Sequence, residues 1–144
     1  MEYVTMTAAH TAQIAQLEKQ CFSMPWSQDA MLFELTNPIS IWLVALDGER
    51  VAGYVGAQYG YGEADMMNLA VSPEYRRRGI GKHLVEALIA ELEKIDVGSI
   101  TLEVRQSNEA AIALYNSMGF TQVGLRPNYY TKPKEAALIL KKEW

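Results

Sequence analysis

One cysteine, Cys21, stands in the 144 residues. It has no partner for an internal disulfide, which excludes a disulfide-stapled scaffold and fits a reducing compartment. Basic charge is also scarce: 13 Lys and Arg against 17 Asp and Glu leave a formal net charge of -4. Proteins that live on a phosphate backbone draw affinity from Lys and Arg, so direct nucleic-acid binding is not expected. No apolar run approaches the ~20 residues of a membrane span. The opening "MEYVTMTAAHTAQIAQLEKQ" lacks the basic segment and apolar run of a secretion signal. A cytoplasmic protein with no membrane attachment is the expectation. The two histidines fall at exposed helix positions, with no Cys or His cluster at metal-ligand spacing, so no metal is expected.

What the chain has is a core. The hydrophobic fraction of 49% and the length fit one domain over residues 1–144. Residues 2–6 alternate as a strand. Ile14, Leu17 and Cys21 recur at helical spacing within a helix over 8–22. "PWS" interrupts, and Ser27 N-caps a second helix over 28–36. "IWLVALDGERVAGYVGAQY" is two β-branched runs about Asp47-Gly48, a hairpin signal. "ADMMNLAVS" is a strand apolar throughout, hence buried on both faces. A helix over 79–95 carries the stripe Leu84, Val85, Leu88, Ile89, Leu92 and Ile95. "SITLEVR" is a strand. A helix over 109–118, capped by Ser107 or Asn108, follows. "FTQVGLR" and "EAALILKKEW" are strands joined by a loop holding "PNYYTKPK". The order β-α-α-β-β-β-α-β-α-β-β predicts an α/β fold, a mixed central sheet with helices on both faces.

"YRRRGIGKHL" (75–84) poses the functional question. It is not a Walker A loop, because His83 stands where that motif needs Ser or Thr. It is not the dinucleotide fingerprint, because Leu84 replaces its third glycine. What remains is a glycine-rich entry to a helix. The first turn of a helix has unpartnered N–H groups and a dipole that favours an anion. Gly79 and Gly81 let an anion approach without a Cβ in the way. The plainer reading is a strand-to-helix turn with solvated arginines.

Three features stand together: the R-x-x-G-x-G of Arg76, Gly79 and Gly81, "NLAVSPEYR" before it, and "LEVRQSNEAAIALYNSMGF" after it. In this order and spacing the chain resembles the GNAT acetyltransferases, which move an acetyl group from acetyl-CoA to an amine. Within that family it looks most like the branch that acetylates a ribosomal protein at its N-terminal alanine. "PWS", "LEVR-x-SN-x-AAIALY" and "R-x-NYY" carry that closer likeness. One departure is Glu135-Ala136-Ala137, where the branch usually has an acidic pair before alanine.

The resemblance implies roles. The main chain of Arg77, Arg78, Gly79, Ile80, Gly81 and Lys82 would hold the CoA pyrophosphate, with Arg77, Arg78 and Lys82 adding charge. Leu69, Ala70 and Val71 would pair their backbone with the pantetheine arm, and Asn108 would bond the cosubstrate besides capping its helix. Glu103 would be the proton acceptor. Its plainer reading is an ion pair with Arg105, two residues along on the same face. Tyr115 would be the proton donor to the departing thiolate, against the plainer role of a core aromatic. Trp26, Tyr129 and Tyr130, placed in loops, would flank the acceptor, a protein N-terminus. Cys21 reads as a buried, inert residue of the first helix. A GNAT enzyme for another amine, and a CoA-binding module without catalysis, are the competing readings.

Overall fold

The computed structural model describes residues 1–144 as one seven-stranded sheet with four α-helices. The strands are β1 (Glu2–Thr5), β2 (Ser40–Asp47), β3 (Arg50–Gly60), β4 (Glu63–Val71), β5 (Ser99–Arg105), β6 (Thr121–Tyr130) and β7 (Glu135–Glu143). The helices are α1 (Thr11–Cys21), α2 (Gln28–Glu34), α3 (Ile80–Lys94) and α4 (Glu109–Ser117). Sheet order is β1-β2-β3-β4-β5-β7-β6, and all neighbours are antiparallel except β4 and β5. A parallel pair needs a crossover, and α3 supplies it. None of the helices is long and apolar enough to cross a membrane.

Side-chain alternation divides the core in two. On β2, Leu43 and Ala45 join the larger cluster beneath α3, with Leu84, Leu88 and Leu92. Trp42 and Val44 face the other way, into a smaller cluster with Ile14 and Leu17 of α1 and Met31 of α2. The α/β order and the helices on both faces therefore agree with the sequence reading.

Boundaries follow local chemistry. The first helix expected from residue 8 opens as a 3₁₀ turn, Ala8–His10, before α1. Ser27 caps α2, its Oγ accepting the Ala30 N–H at 3.1 Å. That helix stops at Glu34, two residues before the expected end. Of the predicted α3 stripe, Ile95 falls beyond the last helical turn and is 42% exposed.

Two corrections bear on the site. Tyr129 and Tyr130 are not in a loop: β6 runs on through them to Tyr130. Pairing jumps from Arg126↔Ala137 to Tyr130↔Glu135, and Asn128 takes φ 57° inside the jump. The segment is a bulged strand end, with Pro127 unable to donate to the ladder. Nor is β4 buried along both faces, since Met67, Asn68 and Leu69 are only half-buried.

One close approach locks the sheet to α1 and the loop after it. Gly56 pairs with Trp42, and a Cβ at 56 would sit inside the Trp42 indole. Trp42 is 3% exposed and packs edge-on against Trp26 at 5.4 Å. Gly56→Val is expected to cost about 1–3 kcal/mol through overpacking, lowering the melting midpoint by roughly 3–10 °C. Gly60→Ala, at a position with nothing within 4 Å, should stay within about 0.5 kcal/mol. Thermal melts of the two variants make the comparison.

Candidate functional site

β4 and β5 pair over three rungs only: Glu63↔Ser99, Ala64↔Ile100 and Asp65↔Thr101. Beyond them the strands part. β5 continues its ladder with β7 through Arg105, and β4 continues with β3 through Val71. A bulge sits at the divergence, where Gly56 pairs with Asn68 but Ala57 with Met66, leaving Met67 extra. Bulges sharpen local twist and bend a strand away from its neighbour. The opening is a cleft of about 650 Å³. Met66–Leu69 form one wall and Leu102–Arg105 the other, with the α1–α2 loop, α4 and the β6–β7 end around them.

The cleft gathers Glu103, Tyr115, Asn108, Leu69, Trp26, Tyr129 and Tyr130 from the residues singled out in sequence. Leu102 and Val104 belong to the core under α3, so Glu103 between them faces the opposite side of β5. An ion pair with Arg105, the plainer reading of Glu103, does not form. Arg105 is held instead by Glu135 at 3.2 Å and by the carbonyls of Pro133 at 2.9 Å and Thr131 at 3.3 Å. Its guanidinium also lies over the Tyr130 ring at 4.4 Å. Glu135 accepts the Ser107 N–H at 2.7 Å. Hydrogen bonds from Ser107, with Arg105 adding to them, hold its carboxyl below the usual range. Arg105 and Glu135 thus fasten the β6–β7 turn to the end of β5.

Tyr115 comes from α4 and is 6% exposed, its ring tilted against Phe120 at 5.3 Å. Its hydroxyl donates to Met66 Sδ at 3.6 Å, a soft and weak acceptor. Burial, reinforced by Tyr130, pushes its phenol well above the ordinary tyrosine range. Tyr130 is pushed up to about 12, by burial first and then by Tyr129 and Glu103. Asn108 caps α4, its Oδ1 accepting the Ala111 N–H at 3.2 Å.

The glycine-rich stretch lies at the edge of the cleft rather than in its lining. Arg77 and Gly79 take φ 65° and 77°, turning the chain into α3, whose first turn has no side-chain cap. Ile80 sends its side chain into the core and offers only main chain. A Cβ on Gly81 would lie 3.6 Å from Leu114 and 3.7 Å from Val71, so the start of α3, the end of β4 and α4 converge there. Ala70 and Val71 stand outside the lining, Ala70 in the core beneath α1. The arginines have different partners. Arg76 turns back to donate to the Val71 carbonyl at 3.1 Å and to Cys21 Sγ at 3.6 Å. Arg78 lies over the Tyr75 ring at 5.2 Å, and Arg77 and Lys82 are exposed.

Glu18, Tyr54 and Asn68 escaped the sequence reading. Glu18 on α1 is fully buried, and accepts the Trp26 N–H at 2.8 Å, the Tyr54 hydroxyl and the Asn68 amide. Burial pushes its carboxyl up against those hydrogen bonds. The signal was present, because Ile14, Leu17, Glu18 and Cys21 share a helical face and a carboxylate on an apolar face needs partners. Cys21 itself is not core: it lines the cleft, with its thiol pushed up by burial.

Comparison with known proteins matches residues 11–120 to the acetyltransferase (GNAT) family. The ribosomal protein bS18-alanine N-acetyltransferase of Escherichia coli is 39% identical over 126 residues, covering 86% of this chain and 84% of that one. An uncharacterized Mycobacterium leprae protein, ML0378, is also 39% identical, over 96% of this chain, which spans 40% of its length. The crystal structure of the Escherichia coli ribosomal-protein-S18-alanine N-acetyltransferase superposes with a TM-score of 0.88 at 34% identity, covering 99% and 92% of the two chains. The chain therefore belongs to the GNAT family and is an acetyltransferase.

Proposed function

We propose that this protein transfers the acetyl group of acetyl-CoA to the N-terminal α-amine of a protein, with the N-terminal alanine of ribosomal protein bS18 as acceptor. The observation that carries the chemistry is that Glu103 and Tyr115, from β5 and α4, face one cleft. The likeness to the bS18-alanine N-acetyltransferases supports the acceptor. A ribosomal-protein acceptor is consistent with a cytoplasmic reaction, and the net charge of -4 suits a protein acceptor rather than nucleic acid.

The residues at hand fit acetyl-CoA. β4 loses its β5 partner after Asp65, so the main chain toward Leu69, Ala70 and Val71 has no strand partner on that side and can pair with the amides of an extended ligand, beside the Arg76 side chain on the Val71 carbonyl. The uncapped start of α3 offers the N–H groups of residues 77–82 to the pyrophosphate, with Arg77 and Lys82 as exposed cations. Asn108 lines the same cleft at the start of α4 and is the side chain proposed to bond the cosubstrate.

The reaction is direct attack in a ternary complex. The amine nitrogen bonds to the thioester carbonyl carbon and the C–S bond breaks. Glu103 takes the proton the amine loses, and Tyr115 gives one to the departing sulfur. An amine attacks only when neutral. Deprotonation at pH 7 costs about 1 kcal/mol for an α-amine of pKa ~7.8 and about 4.6 kcal/mol for a lysine of pKa ~10.4. One carboxylate base serves the α-amine better. Trp26, Tyr129 and Tyr130 flank the acceptor as an aromatic rim.

Peptides with a free N-terminal alanine, incubated with acetyl-CoA beside a lysine peptide and a polyamine, should gain one acetyl group at the α-amine by mass spectrometry. Acetylation confined to the polyamine would reassign the acceptor. Glu103→Gln should lower kcat about 100-fold with the KM for acetyl-CoA unchanged; near-normal turnover would place the base elsewhere. Tyr115→Phe should lower kcat by a similar factor while CoA still binds. Because the Tyr115 phenol is raised, its donor form persists past the ordinary ~10. Wild-type kcat should therefore hold level from about pH 8 to about pH 10, and a fall centred within this window would give the acid role to another group.

A further inference from the structure

Glu18 gathers three donors from three elements: the Trp26 N–H of the α1–α2 loop, the Tyr54 hydroxyl of β3 and the Asn68 amide of β4. It makes no ion pair. Hydrogen bonds alone keep this buried carboxylate in place. Asn68 Nδ2 lies 3.0 Å from Glu18 Oε1 and 2.8 Å from Oε2.

A carboxylate only accepts, so it dictates which end of the Asn68 amide faces it. The NH₂ must turn toward Glu18. The planar amide then carries Oδ1 away from it. Asn68 lines the cleft, and no group of the protein donates to its Oδ1. Side-chain alternation puts Asn68 on the same face of β4 as Ala70, which packs beneath α1, and opposite to Leu69 and Val71, which pack toward α3. The Oδ1 therefore belongs to the half of the cleft with Trp26, not to the half at the start of α3. A fixed oxygen there selects an N–H donor.

We infer that Asn68 binds the acceptor, its Oδ1 receiving an N–H of the incoming amine, and that Glu18 is the positioning residue that keeps this oxygen facing the cleft. The inference rests on the reading of the cleft as an amine-acceptor site. It gives the attacking nitrogen a second point of contact across the cleft from Glu103, on the opposite wall. A neutral α-amine has two N–H bonds, so one can be held by Asn68 while the other proton leaves to Glu103. The same carboxylate accepts the Trp26 N–H, so the Trp26 side of the rim and the Asn68 oxygen are set by one group.

Steady-state kinetics on an N-terminal alanine peptide, with acetyl-CoA varied separately, tests this. Asn68→Ala should lower kcat/KM for the peptide about tenfold, the size of one lost hydrogen bond, with the KM for acetyl-CoA within about twofold. Glu18→Gln should show the same peptide-specific loss, because one carboxamide oxygen cannot serve all three donors. Should that variant fail to fold, Asn68→Ala alone decides. An unchanged peptide kcat/KM in Asn68→Ala, or an equal rise in the KM for acetyl-CoA, overturns the inference and leaves the acetyl transfer standing. A wild-type protein that acetylates no α-amine overturns the acceptor assignment and this inference with it.

Discussion

The site depends on the parting of β4 from β5 after three rungs. A parallel pair that ran to its full length would have satisfied its own main chain and left no cleft. Each strand instead keeps a strong ladder on its outer side, β4 with β3 and β5 with β7. The sheet can therefore open at its centre without losing its edges. Everything the cleft holds follows from that opening: a strip of main chain on one wall, side chains of β5 on the other, and α4 between them. The Met67 bulge lies where the strands diverge, where extra twist is needed.

Three carboxylates stand in or beside this opening, and their partners separate their roles. Glu135 is spent on Arg105 and Ser107, and closes the β6–β7 turn against β5. Glu18 is spent on three hydrogen-bond donors and ties α1, β3 and β4 to the α1–α2 loop. Glu103 is in none of the ion pairs, since the arginine two residues along is taken by Glu135. The structural pairing of Arg105 thus leaves Glu103 without an ion-pair partner, as the proposed role of proton acceptor requires. This also gives the single acid of Glu135-Ala136-Ala137 a place: it anchors the turn that carries Thr131 and Tyr130.

The sequence made the layers legible because their signals are local. Period-3.6 stripes, the Ser27 and Asn108 caps and the Asp47-Gly48 turn each act within a few residues, and the structure keeps them. Glu103 and Tyr115 were legible as a pair through the order and spacing of their motifs, and the fold brings both to one cleft. What was not legible is non-local. The splay of β4 arises from competition among four strands, so its apolar run reads as a fully buried strand. The β6 end reads as a loop because Pro127 and Asn128 are turn residues, yet pairing resumes at Tyr130↔Glu135. Strand alternation offered Arg105 as an alternative partner for Glu103, but its true partner lies 30 residues on. Glu18 was passed over because a helix face was read for its apolar members only.

The arginine run illustrates why charge alone misleads. Three consecutive arginines suggest a polyanion site, yet the structure commits two of them. Arg76 secures the end of β4 through the Val71 carbonyl, and Arg78 packs on Tyr75. Only Arg77 is left in solvent without such a contact, and its φ of 65° marks it as part of the turn. Attraction for the proposed pyrophosphate then rests on the main chain, where the first turn of α3 has N–H groups and no cap, with the exposed Arg77 and Lys82 beside it. A site built from N–H groups adds no net charge. That is how a protein carrying -4 overall can hold an anionic cosubstrate without becoming a general binder of phosphate backbones.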